Sequence, residues 1–224
     1  MNIFLRVWKR FSFIILIAFI IVGLFDMRFA VIAAICMIGP IILSFFKGRF
    51  WCGNICPRGS FFDNVVCKFS NDKKTPRCLK SYFFRIIVLT LMMTVFISRL
   101  CKTSGDIYGV GRVFYRLIIV TTTIGVAMSL FYNHRTWCNF CPMGTLASAI
   151  SALSKRKVVL YVSSSCVSCK ICEKKCPLGL KPYMYRGSRL SHSDCLQCGR
   201  CAAACPQKAI GYHKIKLQIH NIIH

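Results

Sequence analysis

The sequence predicts an α-helical membrane protein, with four transmembrane helices in two hairpins, that ends in a small α+β domain built around cysteines. Three observations predict it. Hydrophobic residues make up 55% of the 224 positions, and mean hydropathy is +0.55, an excess concentrated in the first 150 residues. A Trp-Cys-x2/3-Cys-Pro motif occurs twice in that half, and a denser cysteine spacing occurs twice after it. The expected division is a membrane unit at 1–153, a linker at 154–165 and a cysteine-rich domain with its tail at 166–224.

Four apolar runs order the first unit: Phe11 to Phe25, Phe29 to Phe46, Phe83 to Ile97 and Leu117 to Tyr132. Each is slightly shorter than the ~20 residues that span a bilayer, and flanking Trp8, Lys9, Arg10, Arg85, Arg99 and Arg116 extend the reach by snorkelling to the interface. Asp26-Met27-Arg28 separates the first two runs, which suits a hairpin better than one very long helix. Arg6, Lys9 and Arg10 ahead of the first run also suit a signal peptide. No clear small-x-small cleavage site precedes the second run, so the first reads as an uncleaved helix.

Lys47, Arg49, Arg58, Lys68, Lys73, Lys74, Arg77 and Lys80 crowd the loop between the hairpins, and Arg135, Lys155, Arg156 and Lys157 follow the fourth run. Basic loops stay on the cytoplasmic side. Both termini, the central loop and the C-terminal domain are therefore expected on the cytoplasmic face of the membrane.

The duplicated motif reads Trp51-Cys52-Gly53-Asn54-Ile55-Cys56-Pro57-Arg58-Gly59-Ser60 after the second run and Trp137-Cys138-Asn139-Phe140-Cys141-Pro142-Met143-Gly144-Thr145 after the fourth. Two hairpins that each end in a cysteine pair would converge four thiols at one membrane surface. Cys52, Cys56, Cys138 and Cys141 are a full ligand set for one iron-sulfur cluster. A zinc clasp joining the hairpins is the competing reading. Ser60 and Thr145 are expected to cap the short helices that follow.

In the C-terminal domain, Cys166, Cys169, Cys172 and Cys176-Pro177, then Cys195, Cys198, Cys201 and Cys205-Pro206, each repeat Cys-x2-Cys-x2-Cys-x3-Cys-Pro. This is the spacing of a bacterial two-cluster ferredoxin, in which the fourth cysteine of each run serves the other cluster. Cys166, Cys169, Cys172 and Cys205 then hold one 4Fe-4S cluster, and Cys195, Cys198, Cys201 and Cys176 the second. Structural zinc stops at two separated pairs, and eight cysteines this close together point to metal or redox chemistry rather than disulfides.

Lys and Arg number 31 against six Asp and Glu, a net charge of +25. Anionic lipid headgroups, worth about 1 kcal/mol per nearby Lys or Arg, account for this without nucleic acid. An acidic soluble redox partner is the functional alternative.

With these motifs in this order, the chain resembles the NapH-type membrane ferredoxins, a polyferredoxin family related to quinol dehydrogenases and to copper-reducing polyferredoxins. The resemblance covers almost the whole chain, with one departure: the second membrane motif has two residues between its cysteines where the NapH pattern has three. It implies quinol oxidation, with electrons passed through the clusters to a partner redox protein in a complex. His134, just before Trp137, is then the candidate proton acceptor. Every recognisable cluster lies on one side of the membrane, so the alternative is a cytoplasm-facing reductase or maturation factor for copper or another metal, since soft sulfur suits Cu(I).

Overall fold

The computed structural model describes residues 3–71, 73–103, 106–154 and 158–214. Lys155, Arg156 and Lys157, counted above toward the basic segment, and the tail from 215 onward lie outside them.

The chain opens with a basic helix, α1 (Ile3–Phe11), and passes into the wholly apolar α2 (Phe13–Phe25). Asp26 ends α2, and its carboxylate accepts a hydrogen bond from the Arg28 amide at 2.9 Å. It thereby caps a 3-10 turn (Met27–Ile32) that runs on into α3 (Ala33–Lys47). Short helices α4 (Phe50–Asn54), α5 (Pro57–Asn64) and α6 (Arg77–Lys80) cross one end of the bundle before α7 (Tyr82–Cys101). Asp106 caps α8 (Ile107–Phe131) by accepting from the Gly109 amide. After it, α9 (Trp137–Phe140) and α10 (Pro142–Leu153) repeat the arrangement of α4 and α5.

Among the described residues, three helical stretches are long and apolar enough to cross a membrane: Met27–Lys47, Tyr82–Cys101 and Ile107–Phe131. The first apolar run supplies only the 13 residues of α2. Ile35, Ile38, Ile42, Leu91, Val95, Val120 and Leu130 point outward, the pattern of helices solvated by lipid tails rather than water. Inside, Ala30, Ala33, Phe114 and Tyr115 pack together, and the Tyr115 hydroxyl donates to the Ile20 carbonyl at 3.1 Å.

Ser60 and Thr145 are not the helix caps expected of them. Cys56 and Cys141 occupy the cap positions, with ψ of 118° and 130°, and a proline takes the first helical position in both α5 and α10. A proline's fixed φ and missing N–H suit that position, so each Cys-Pro step starts its helix at the cysteine. Ser60 lies one turn in, where its hydroxyl donates to the Lys9 carbonyl at 2.6 Å.

Val158–Val162, within the stretch read as a linker, forms β1. It is followed by α11 (Ile171–Lys174), β2 (Ser188–Arg189), α12 (Arg200–Ala203) and β3 (Ile210–Lys214). The sheet has the order β2-β1-β3 with both pairs antiparallel, Leu160 facing Tyr212 across the longer one. Leu160, Val162, Leu190 and Ile210 pack against Cys166, Cys172, Cys195 and Cys201, so the core of this unit is half aliphatic and half thiol.

Candidate metal centres

Local backbone conformation explains how the C-terminal cysteines wrap. In each repeat the residue before the second cysteine and the residue after it both take positive φ: Ser168 (54°) and Lys170 (61°) around Cys169, Gln197 (53°) and Gly199 (74°) around Cys198. Two left-handed residues in four curl the loop back on itself, turning successive side chains to one side. Cys166, Cys169, Cys172 and Cys205 line one small cavity together with Tyr183, Gln207 and Ile210. Cys176, Cys195, Cys198 and Cys201 line a second, with Leu160, Leu190 and Arg200. The fourth cysteine of each run thus faces the other run's cavity.

Burial pushes the Cys201 thiol up to about 12, with the neighbouring thiols adding to the effect. Such sites release their protons only to a metal centre that takes the thiolate charge. Among the described residues, no three His, Cys, Asp or Glu side chains close on a point where a single ion would sit. The four thiols of each group line a common cavity, the donor set that a 4Fe-4S cluster takes.

The membrane motifs are brought together by a reciprocal exchange of arginines. Arg49, three residues before Cys52, crosses to the second repeat and donates to the Cys138 carbonyl at 2.5 Å. Arg135, three residues before Cys138, crosses the other way and donates to the Cys52 carbonyl at 2.9 Å and to Cys138 Sγ at 3.6 Å. Each guanidinium lies over the other repeat's glycine: a Cβ on Gly59 would stand 2.8 Å from Arg135 Nη1, and one on Gly144 2.5 Å from Arg49 Nη2. A third arginine, Arg58, donates to Thr121 Oγ1 at 2.7 Å and to Cys141 Sγ at 3.6 Å and lies over the Trp137 ring. Burial pushes the Cys52 thiol up to about 12 against the pull of Arg49, and burial likewise raises Cys56 against Arg58.

Two carboxylates anchor Arg135 and Arg49, and both also hold the C-terminal unit. Asp63, on α5, takes two bonds of 2.7 Å from Arg135 and lies 2.8 Å from Arg200, beside Cys201, and 3.5 Å from His134 Nε2. Asp194, beside Cys195, accepts from Arg49 at 3.1 Å, Arg85 at 2.7 Å and Ser148 at 2.9 Å. Burial works to raise Asp63, but the charge and hydrogen bonds of Arg135, with Arg200, hold its carboxyl well below the usual range. Asp194 is held down in the same sense by Arg85 and Arg49. The Asn54 amide donates to the Gln197 carbonyl at 3.1 Å, and Lys9 to the Cys198 carbonyl at 3.4 Å. The second C-terminal cavity therefore abuts the membrane motifs.

Below the motif thiols lies an apolar cavity of about 180 Å³. Cys52, Cys56, Cys141 and Arg58 line it at the motifs, and Leu16, Phe19, Met92, Phe96 and Phe114 line it between the helices. Cys36 lines it too, whereas His134 does not. His134 sits in the ion cluster, with Arg200 Nη1 3.0 Å from its Nε2. Arg49, Arg58, Arg135, Asp63, Asp194 and Gln197 were not predicted. A signal existed: both repeats read Arg-x-Trp-Cys.

A 4Fe-4S binding domain family matches the chain twice, at residues 29–76 and 113–160, once per repeat, and a 4Fe-4S dicluster domain family matches residues 165–210. An uncharacterized protein of Methanocaldococcus jannaschii is 29% identical over 181 residues, 77% of this chain and 67% of the relative. The ferredoxin-type protein NapH of Haemophilus influenzae is 24% identical over 196 residues, 80% and 68% of the two chains. The putative electron transport protein YccM of Escherichia coli is 23% identical over 216 residues, 83% and 59%. No solved structure gives a significant match. The chain belongs to the 4Fe-4S polyferredoxin family of iron-sulfur electron-transfer proteins that includes the NapH-type ferredoxins.

Proposed function

We propose that the protein is a membrane-bound electron carrier that passes electrons between the quinone pool and a partner redox protein through three 4Fe-4S clusters. Cys52, Cys56, Cys138 and Cys141 hold the third. The single observation that carries the quinone link is the apolar cavity, which runs from the motif thiols into the lipid-embedded helices. A quinone headgroup is flat and apolar with two oxygens that need hydrogen-bond donors. Arg58 supplies such donors at the cavity wall, with Thr121 beside it.

Bound clusters supply one-electron steps, two for each quinol, whose two protons leave separately. The chain's own residues support an order for the steps. Asn54 and Lys9 clamp the loop of Gln197 and Cys198 against the first membrane motif, so the cavity of Cys176, Cys195, Cys198 and Cys201 is the inner relay. The cavity of Cys166, Cys169, Cys172 and Cys205 is the outer one, with Cys169 exposed to a partner. In the membrane, α2 would serve as the fourth span, completing two hairpins, and the basic loops favour the cytoplasmic face for the motifs and the C-terminal unit.

The test is anaerobic. Reduced protein in detergent is mixed with a menaquinone analogue while the visible iron-sulfur absorbance is followed, with Cys138→Ser as control. Fast reoxidation that needs Cys138 supports the reading, and no reaction refutes it. Cys36, Met37, Met92, Met93 and Met143 also line the cavity, a set of soft donors that favours copper reduction as the second reading. Oxidation by Cu(II) but not by quinone selects it.

A further inference from the structure

Positive charge is graded across the three thiol groups. Among the described residues, the outer cavity, with Cys166, Cys169, Cys172 and Cys205, has no charged side chain in its wall. The inner one has Arg200 in its wall, with Lys9 on the Cys198 carbonyl and Lys80 on the Leu178 carbonyl at 2.8 Å. The membrane motifs have Arg49 and Arg135, both buried, and Arg58. Asp63 and Asp194 offset Arg135 and Arg49. Among the described residues Arg58 has no carboxylate within ion-pair distance, and its partners are Thr121 and the Cys141 sulfur.

We propose that Arg58, set within the exchanged pair Arg49 and Arg135, makes the membrane motif the highest-potential electron site in the chain, so that electrons run downhill from the outer ferredoxin site to the membrane. This rests on the third cluster of the reading above. Reduction adds one negative charge to a site already ringed by thiolates, and a fixed cation in a low-dielectric setting stabilises that added charge. The exposed lysines of the ferredoxin face are screened by water and salt and act far less. Backbone amides also raise potentials, and Cys176 Sγ accepts one from Leu180 at 3.3 Å. Such bonds bring partial charges where the membrane motif has whole ones. In each step one site loses an electron and the next gains it. No proton has to move, because the Arg58 charge, which no carboxylate among the described residues neutralises, offsets the gain.

The repeat itself supplies the variant. Met143 occupies in the second motif the place Arg58 occupies in the first, so Arg58→Met copies a side chain the motif already accommodates, and Arg58→Lys keeps the charge. Anaerobic redox titration followed by electron paramagnetic resonance, on the full chain in detergent, gives the midpoint of each cluster. Cys138→Ser identifies the membrane signal. In the unaltered protein the membrane midpoint is expected to be the highest of three. Arg58→Met should lower that midpoint alone by at least a tenfold change in the one-electron equilibrium, about 59 mV, and Arg58→Lys should restore most of it.

A membrane midpoint below either ferredoxin midpoint overturns the proposal, as does one unmoved in Arg58→Met. Absence of any third cluster in the unaltered protein instead removes the reading on which it rests. Should Arg58→Met assemble no membrane cluster, the order of midpoints in the unaltered protein and in Arg58→Lys still decides.

Discussion

Gly53 and Leu196 meet backbone to backbone: a Cβ on Gly53 would stand 2.1 Å from the Leu196 carbonyl oxygen. Gly53 follows Cys52 and Leu196 follows Cys195, so this contact presses the first membrane motif against the inner ferredoxin loop. Asn54 and Gln197 hydrogen-bond one residue further along. Glycine is required because backbone, unlike a flexible side chain, cannot give way.

Gly53→Ala should therefore separate the two thiol groups without removing a ligand. Forcing a methyl group into packed backbone costs about 1–3 kcal/mol, enough to shift the docked unit. The expected result is unchanged iron content with slowed equilibration between the membrane and ferredoxin signals after rapid reduction. Equilibration as fast as in the unaltered protein would show that the contact does not set the electron path.

Substituting the fourth cysteines tests the crossed ligand sets. Three cubanes require about twelve iron and twelve sulfide per chain, and each serine substitution should perturb one cluster. Cys176 shares a cavity with Cys198, and Cys205 with Cys169. Cys176→Ser should alter the same resonance signal as Cys198→Ser, and Cys205→Ser the same one as Cys169→Ser. Pairing of Cys176 with Cys169 would mean that each run holds its own cluster.

Asp63 makes the joint between the two units sensitive to acid in one direction only. Its carboxyl is held well below the ordinary range by Arg135 and Arg200. A depressed carboxylate stabilises the folded state above its unfolded pKa of about 3.9, and that stability fades as pH falls toward the folded value. Docking should be constant from about pH 5 to 8 and weaken below about pH 4. Asp63→Asn leaves buried arginines without their anion, so it should cost about 3–5 kcal/mol and flatten the acid limb. Thermal melts across pH, on variant and parent, measure both effects.

The grouping of the C-terminal cysteines was legible because their spacing along the chain is local, and the two sets read from it line two separate cavities. The apolar runs were legible because bilayer solvation demands uninterrupted hydrophobicity, although α2 is shorter and α8 longer than the runs suggested. Long-range pairing was not. Arg49 and Cys138 are 89 residues apart, and Arg49 and Asp194 are 145 apart. Apart from the repeated Arg-x-Trp-Cys, nothing local marks one arginine among 31 basic residues as buried rather than outward-facing. Scarcity was the better signal: Asp63 and Asp194 are two of only six acids, and each is placed against several cations. The Ser60 and Thr145 caps failed because a Cys-Pro step fixes a helix start more firmly than a hydroxyl one turn later.

Filling the cavity separates quinone access from cluster binding. Leu117 lines the cavity on α8 and is not part of either thiol motif. Leu117→Trp adds bulk to the space between the helices while leaving Arg58, Thr121 and the four cysteines in place. Some overpacking strain follows, about 1–3 kcal/mol, spread over flexible neighbours such as Met92 and Met93, which also line the space. Iron content and cluster midpoints should stay as in the parent, while reoxidation by the menaquinone analogue slows and oxidation by a small soluble acceptor does not. If reoxidation by the quinone analogue keeps its parent rate with the cavity filled, the quinone reacts elsewhere on the protein. The ion-lined opening formed by Lys9, Arg10, Asp63 and Arg200 would then be the place to substitute next.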